Sequence, residues 1–97
     1  MITKGLLVKL VAKPGKEDEV AAFLKSALPL LSEEPETINW YAFRISESTF
    51  GIMDTFAGED GRNAHLAGKI AAALMENAPH LLALAPSIEK VDILASK

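Results

Sequence analysis

The spacing of apolar residues changes period along this chain in the order strand, helix, strand, strand, helix, strand, and few folds accept that order. Residues Ile2 to Lys13 are rich in Val and Leu and stop at the turn pair Pro14-Gly15. Leu6, Val8, Leu10 and Ala12 share one face of that strand, and Leu7, Lys9 and Val11 share the other. Both faces are mostly apolar, so both are expected to be covered. Lys16 to Leu31 then reads as a helix. Glu17, Asp18 and Glu19 oppose the positive end of its dipole. Val20, Phe23, Leu24, Ala27, Leu28 and Leu31 form its apolar stripe, and Pro29 is expected to kink or end it. Ser32 to Glu36 is a polar loop.

The second half repeats the order. Thr37 to Ser46 reads as a strand on the strength of Trp40, Tyr41, Phe43 and Ile45. Glu47-Ser48 turns it into a second strand, Thr49 to Ala57, so the two form a hairpin. A second helix follows Gly58-Glu59-Asp60-Gly61, with Asp60 as its expected N-cap. Leu66, Ile70, Ala73 and Leu74 face its core side. Ala64, Ala67, Gly68, Ala71 and Ala72 are small enough for a neighbour to approach closely. Asn77 to Pro79 is expected to break this helix, and Ile88 to Ala95 to form the last strand.

Strand-helix-strand twice over predicts one α+β domain spanning residues 1–97. Right-handed crossovers place two helices on one face of a four-stranded antiparallel sheet. The other face carries apolar residues with no cover inside one chain. A second sheet packed face to face would hide them, so a homodimer is expected. The apolar share of 49% in only 97 residues points the same way.

Composition narrows the chemistry. With no cysteine there is no disulfide, zinc-thiolate or thiol catalysis, and a reducing cytoplasmic location is compatible. A net charge of −3 without any basic run argues against nucleic-acid and membrane-surface partners. The apolar run near the N-terminus is too short to span a membrane and lacks a small-residue cleavage site. No phosphate loop, dinucleotide fingerprint or clustered His-carboxylate metal set is visible, so neither a cofactor nor a metal is expected.

Few residues are left to carry chemistry. His65 falls early in the second helix, on the flank of its apolar stripe. It reads either as a half-buried histidine bonded to a backbone carbonyl or as a general base or proton donor. Trp40 and Tyr41 are adjacent on a strand, so one faces the helices and the other the open sheet. Arg44 shares a face with Trp40. Asp54 shares a face with Phe50, Ile52 and Phe56 and needs a partner if buried, with Arg44 or Arg62 as the expected ion pair.

The chain resembles the antibiotic biosynthesis monooxygenase family over almost its whole length. The likeness rests on the KPGKEDEVAAFL stretch after the first strand, on EEPETINWYAF, and on DTFAGEDGRNAHLAGKIAAAL. An acid, an aromatic two positions later and a histidine nine further on correspond here to Asp54, Phe56 and His65. The resemblance implies a ferredoxin-like dimeric α+β barrel with a cleft between sheet and helices. It implies a cofactor-independent monooxygenase that oxidises a small aromatic, quinol or polyketide-type phenol with O2. His65 would be the catalytic group, and Phe56, Trp40, Tyr41, Asp54 and Arg44 would contact the substrate. The aromatic before the helix is often Trp in that family and is Phe56 here. The first strand also lacks the Asn of haem-degrading relatives, so haem degradation is not expected. Two other functions fit the same fold. One is a non-catalytic dimer that binds a small apolar ligand or responds to stress, and the other is an isomerase or decarboxylase working by proton transfer.

Overall fold

The computed structural model describes residues 1–97. Its strands are β1 (Lys4–Val11), β2 (Thr37–Arg44), β3 (Thr49–Phe56) and β4 (Ser87–Asp92). They form one antiparallel sheet in the order β2-β3-β1-β4. The crossovers carry three helices, α1 (Glu17–Ala27), α2 (Glu59–Leu66) and α3 (Lys69–Leu81). This is the ferredoxin-like α+β arrangement expected from the sequence, with one difference. The expected second helix is two helices, divided at Ala67-Gly68.

Of the two proline expectations, the one for Pro29 is met and the one for Pro79 is not. Ahead of Pro29 the α-helix gives way to a tighter 3₁₀ turn over Leu28–Glu33, where a proline in the first turn loses nothing by lacking an N–H. Pro79, expected to break the last helix, lies inside α3. The carbonyl that loses its bond there belongs to Met75, on an exposed turn where water can replace the missing donor. Ala78 and Leu81 are buried and hold the final turn against the core. Backbone bonds from Lys13 to Leu81 and from Ala83 to Val11 fix the end of α3 beside β1.

The core lies between helices and sheet. Leu6, Val8, Leu10 and Ala12 of β1 point into it, as do Phe50, Ile52 and Phe56 of β3. Val20 and Leu24 of α1 and Ile70, Leu74 and Leu81 of α3 close it from above. Only one face of the sheet is covered within the chain. Leu7, Tyr41 and Phe43 stand exposed on the other, from β1 and β2. The expectation that β1 is covered on both sides is therefore not met by a single chain.

Two features of the sheet set up the site. Trp40, Asp54 and Leu6 are cross-strand partners, so they form one row on the helix side near the centre of the sheet. A register shift between Thr37 and Asn39 leaves Ile38 as the extra residue of a β-bulge. The bulge lets Thr37, like Trp40, turn its side chain toward the helices. No helix is long and apolar enough to cross a membrane.

A buried histidine between two carboxylates

Asp54 is among the most deeply buried side chains in the chain, with a relative exposure of 1%. An isolated carboxylate at that depth is strongly unfavourable. Its partner is His65, whose Nε2 lies 2.9 Å from Asp54 Oδ2. The approach is close but not directed, since neither Asp54 oxygen receives an aligned hydrogen bond. On the opposite side of the ring, Nδ1 lies 2.5 Å from Glu34 Oε1, with Thr37 Oγ1 at 3.4 Å. Glu34 is largely buried too, although it sits on the segment between the 3₁₀ turn and β2. One imidazole is thus held between two carboxylates, one on each ring nitrogen.

Helix α2 holds the ring in place. Arg62 and His65 are three residues apart, so they share the face turned to the sheet. Arg62 is buried and reaches beneath the helix to the carbonyls of Gly5 and Val91, at 3.3 and 3.1 Å. It also pairs with Glu59 in the first turn of α2. These bonds tie the start of α2 to β1 and β4, which sets the height of His65 above Asp54. The Phe56 ring packs against the imidazole at 5.5 Å between centroids, tilted by 45°. At Gly68 a Cβ would stand 3.0 Å from Glu34 Oε2, so the residue dividing α2 from α3 is also the one that makes room for Glu34.

The electrostatic outcome is a contest. Burial acts most strongly on His65 and disfavours its charged form. The Asp54 contact and charge, joined by those of Glu34, together outweigh burial and raise the pKa above its usual 6.5. The shift favours the imidazolium form relative to an ordinary histidine, and in that form both N–H groups face carboxylates. In that state it is not a free base. Asp54 Oδ1 is buried without a hydrogen-bond partner.

Two spaces meet at this ring, and His65 is the one residue lining both. On the Nδ1 side is a polar groove of about 210 Å³ walled by Glu33, Glu34, Glu36, Thr37 and Lys69. On the Nε2 side is a narrow apolar crevice of about 30 Å³ between sheet and helices, lined by Asp54, Trp40, Ile52, Ile70 and Leu74. The crevice has room for a water or two, whereas benzene occupies an engineered cavity of roughly 150 Å³. Trp40 Nε1 is buried there without a hydrogen-bond partner. The two carboxylates flank the ring from opposite sides, so their oxygens do not converge, and no group of three His, Asp or Glu side chains is placed to hold a metal ion.

The structure distributes the expected site residues unevenly. His65, Asp54, Phe56 and Trp40 come together on the helix side. Trp40, not Tyr41, faces the helices. Tyr41 is exposed on the bare sheet face, because adjacent strand residues point to opposite sides. Arg44 lies on the helix side but pairs across the sheet with Phe50, two rows from Trp40 and Asp54. Its guanidinium stacks on the Phe50 ring at 4.8 Å and bonds to the Glu47 carbonyl, away from His65. The expected pairing of Asp54 with Arg44 or Arg62 is replaced by His65, because Arg62 is spent on two backbone carbonyls and Glu59. His65 is buried between two carboxylates, not half-buried against a carbonyl. Glu34 was not singled out, since nothing in the SEEPE segment separates it from Glu33 or Glu36.

The likeness to known structures covers the whole fold. The NE2512 protein of unknown function from Nitrosomonas europaea is 55% identical, superposes with a TM-score of 0.97, and is matched over 100% of this chain and 94% of its own. A Caulobacter crescentus protein described as a "putative antibiotic biosynthesis monooxygenase" superposes at 0.82 with 20% identity, over 97% of this chain and 92% of that one. A second protein so described, from Nitrosomonas europaea, superposes at 0.83 with 11% identity, over 95% and 90%. No protein-family model matches the chain, and no curated protein matches it. The fold is thus the ferredoxin-like fold shared with those two proteins. The chain belongs to the same family as the NE2512 protein.

The raised pKa has a consequence for stability. A histidine whose pKa is higher in the folded than in the unfolded chain stabilises the fold fully below the unfolded value. That contribution is lost as the pH rises through the folded pKa. Urea unfolding across this window is expected to show stability falling with pH, and the slope should vanish in His65→Gln. The variant also leaves Asp54 buried opposite no charge, a loss of about 3–5 kcal/mol. Stability that rises through the same window in the wild-type protein would contradict this electrostatic reading.

Proposed function

We propose that the protein is a cofactor-independent monooxygenase acting on a small aromatic, quinol or polyketide-type phenol in the cleft between sheet and helices. The observation that carries this reading is the buried Asp54–His65 pair, lining an apolar crevice on the fold shared with proteins described as monooxygenases. Buried ion pairs contribute little net stability, so a site that retains three interacting ionisable groups in so small a core is a candidate for chemistry.

The chemistry asks little of the protein. An electron-rich ring reduces O2 itself once a hydroxyl or acidic C–H has lost its proton. One oxygen atom enters the product, the other leaves as water, and the substrate supplies the electrons. Asp54 Oδ1 takes the proton. The His65 imidazolium next to it stabilises the negative charge that develops. Trp40 Nε1 donates to the substrate oxygen, and the apolar walls hold the ring. Loading a ring requires the crevice to widen between α3 and the sheet, where Ile70, Leu74 and Ile88 border it.

The narrowness of the crevice favours a second reading, in which the protein binds a small ligand without turnover or only transfers protons. Oxygen uptake with a panel of quinols, anthrones and phenols separates the two. The monooxygenase reading expects uptake that falls by about 10²–10⁴-fold in Asp54→Asn. Uptake no faster than the uncatalysed rate for every compound, or uptake unchanged in Asp54→Asn, would refute it.

We also propose that two chains pair through the bare sheet face. Leu7, Tyr41 and Phe43 are exposed there, with the half-buried Met53 and Val91 beside them. An uncovered apolar sheet face of this kind favours self-association. Light scattering at micromolar concentration is expected to give twice the monomer mass, and Leu7→Glu combined with Tyr41→Glu to give one. A wild-type monomer at that concentration would rule the pairing out.

A further inference from the structure

The two sides of the His65 ring face spaces of different width, a polar groove at Nδ1 and a narrow apolar crevice at Nε2. Asp54 is buried at the sheet and borders only the crevice. Glu34 forms part of the wall of the polar groove, with Oε1 on His65 Nδ1 and a buried Oε2 that has no partner. The ring between them is the one residue common to groove and crevice. The groove is therefore the wider route by which a proton on the ring exchanges with water.

We propose that Glu34 is the proton port of the site: protons leave and reach His65 through Nδ1 and the Glu34 carboxylate, while the Nε2–Asp54 side is reached only from the crevice. The proposal deepens the functional reading above and rests on it for the hydroxyl that supplies the proton. The resting state is an imidazolium between two carboxylates. A crevice hydroxyl breaks its O–H bond and protonates Asp54. The ring keeps its charge while the anion reacts. When oxygen has been reduced, Asp54 returns its proton to the oxygen that leaves as water, so the turnover itself moves no net proton. The port sets the state of the ring between turnovers: a neutral ring with its hydrogen on Nε2 gains a proton at Nδ1 from Glu34, which recovers one from groove water, and it loses that proton by the reverse path.

Other charged groups face this path from each neighbouring element. Asp54 comes from β3, and Glu33 and Glu36 flank Glu34 on the groove wall. Lys69 at the start of α3 pairs with Glu33 at 2.7 Å, and Arg62 of α2 is occupied by Glu59. None of these touches Nδ1. Thr37 Oγ1 does approach it, at 3.4 Å, but Glu34 Oε1 is much closer, at 2.5 Å, and carries the charge that attracts a proton. Gly68 supports the assignment, because the space that a side chain would take there is occupied by the Glu34 carboxylate.

The test is nitrogen-resolved NMR of His65 in the full chain, with the exposed His80 as internal reference. The port predicts that Nδ1–H exchanges with water faster than Nε2–H. Glu34→Gln should slow Nδ1–H exchange and shift the His65 titration to lower pH, and Glu34→Asp should partly restore both. Glu33→Gln removes a charge from the same groove without touching the ring, and it should leave the exchange order unchanged. Gly68→Ala, which forces Glu34 to move, should act in the direction of Glu34→Gln. Equal or reversed exchange at the two nitrogens in the wild-type protein would overturn the port, as would Nδ1–H exchange unaffected by Glu34→Gln. The measurement needs no substrate. A port seen without oxygen uptake would count against the monooxygenase reading alone, and uptake without the exchange asymmetry against the port alone.

Discussion

The contact between His65 and Asp54 is the constraint to which the rest of this site answers. A carboxylate placed on the inner face of a central strand is tolerable only if a cation meets it there. The hairpin, the bulge at Ile38 and the clamp of Arg62 all serve that meeting. So does the division of the helical crossover at Gly68, which gives α2 and α3 separate directions and admits Glu34 to the far side of the ring. A histidine meets both demands because it has two nitrogens on opposite edges. A lysine or arginine in its place would carry charge but could not present one N–H inward and one outward from a single rigid plane.

This arrangement gives the two carboxylates different duties although they share a partner. Asp54 is enclosed by apolar residues and keeps an oxygen without a hydrogen bond, so it is available to whatever enters the crevice. Glu34 stands in the wall of a polar groove, beside Glu33, Glu36 and Lys69. Residues identical in chemistry and nearly so in size differ in role because one is on the sheet and the other on a loop.

Much of the frame was legible in the sequence. The alternation Leu6-Val8-Leu10-Ala12 and the stripe through Val20 and Leu24 marked one core, and all six are buried. The order of elements fixed the side on which the helices lie. His65 and Asp54 stood out because a lone histidine beside an apolar stripe and an acid amid Phe and Ile each need an explanation. Their partnership was not legible. Strand parity puts Asp54 on the inner face, but only the tertiary path of α2 decides that His65 reaches it before Arg44 or Arg62 does. Glu34 was invisible for a stronger reason. Its burial depends on how the 3₁₀ turn after Ala27 folds the SEEPE segment back over α2, and local pattern carries no record of that contact. Pro79 shows the opposite failure. Its local preference was correctly read, but the buried Ala78 and Leu81 overrode it.

The central claim is that the crevice beside Asp54, not the groove and not the open sheet, receives the reacting group. A crystal structure of the protein with a small hydroxylated aromatic bound tests this most directly. The account predicts the ring between α3 and the sheet, with its oxygen within hydrogen-bond distance of both Asp54 Oδ1 and Trp40 Nε1. A ring bound in the polar groove or on the open sheet face, with the crevice still closed, would contradict it.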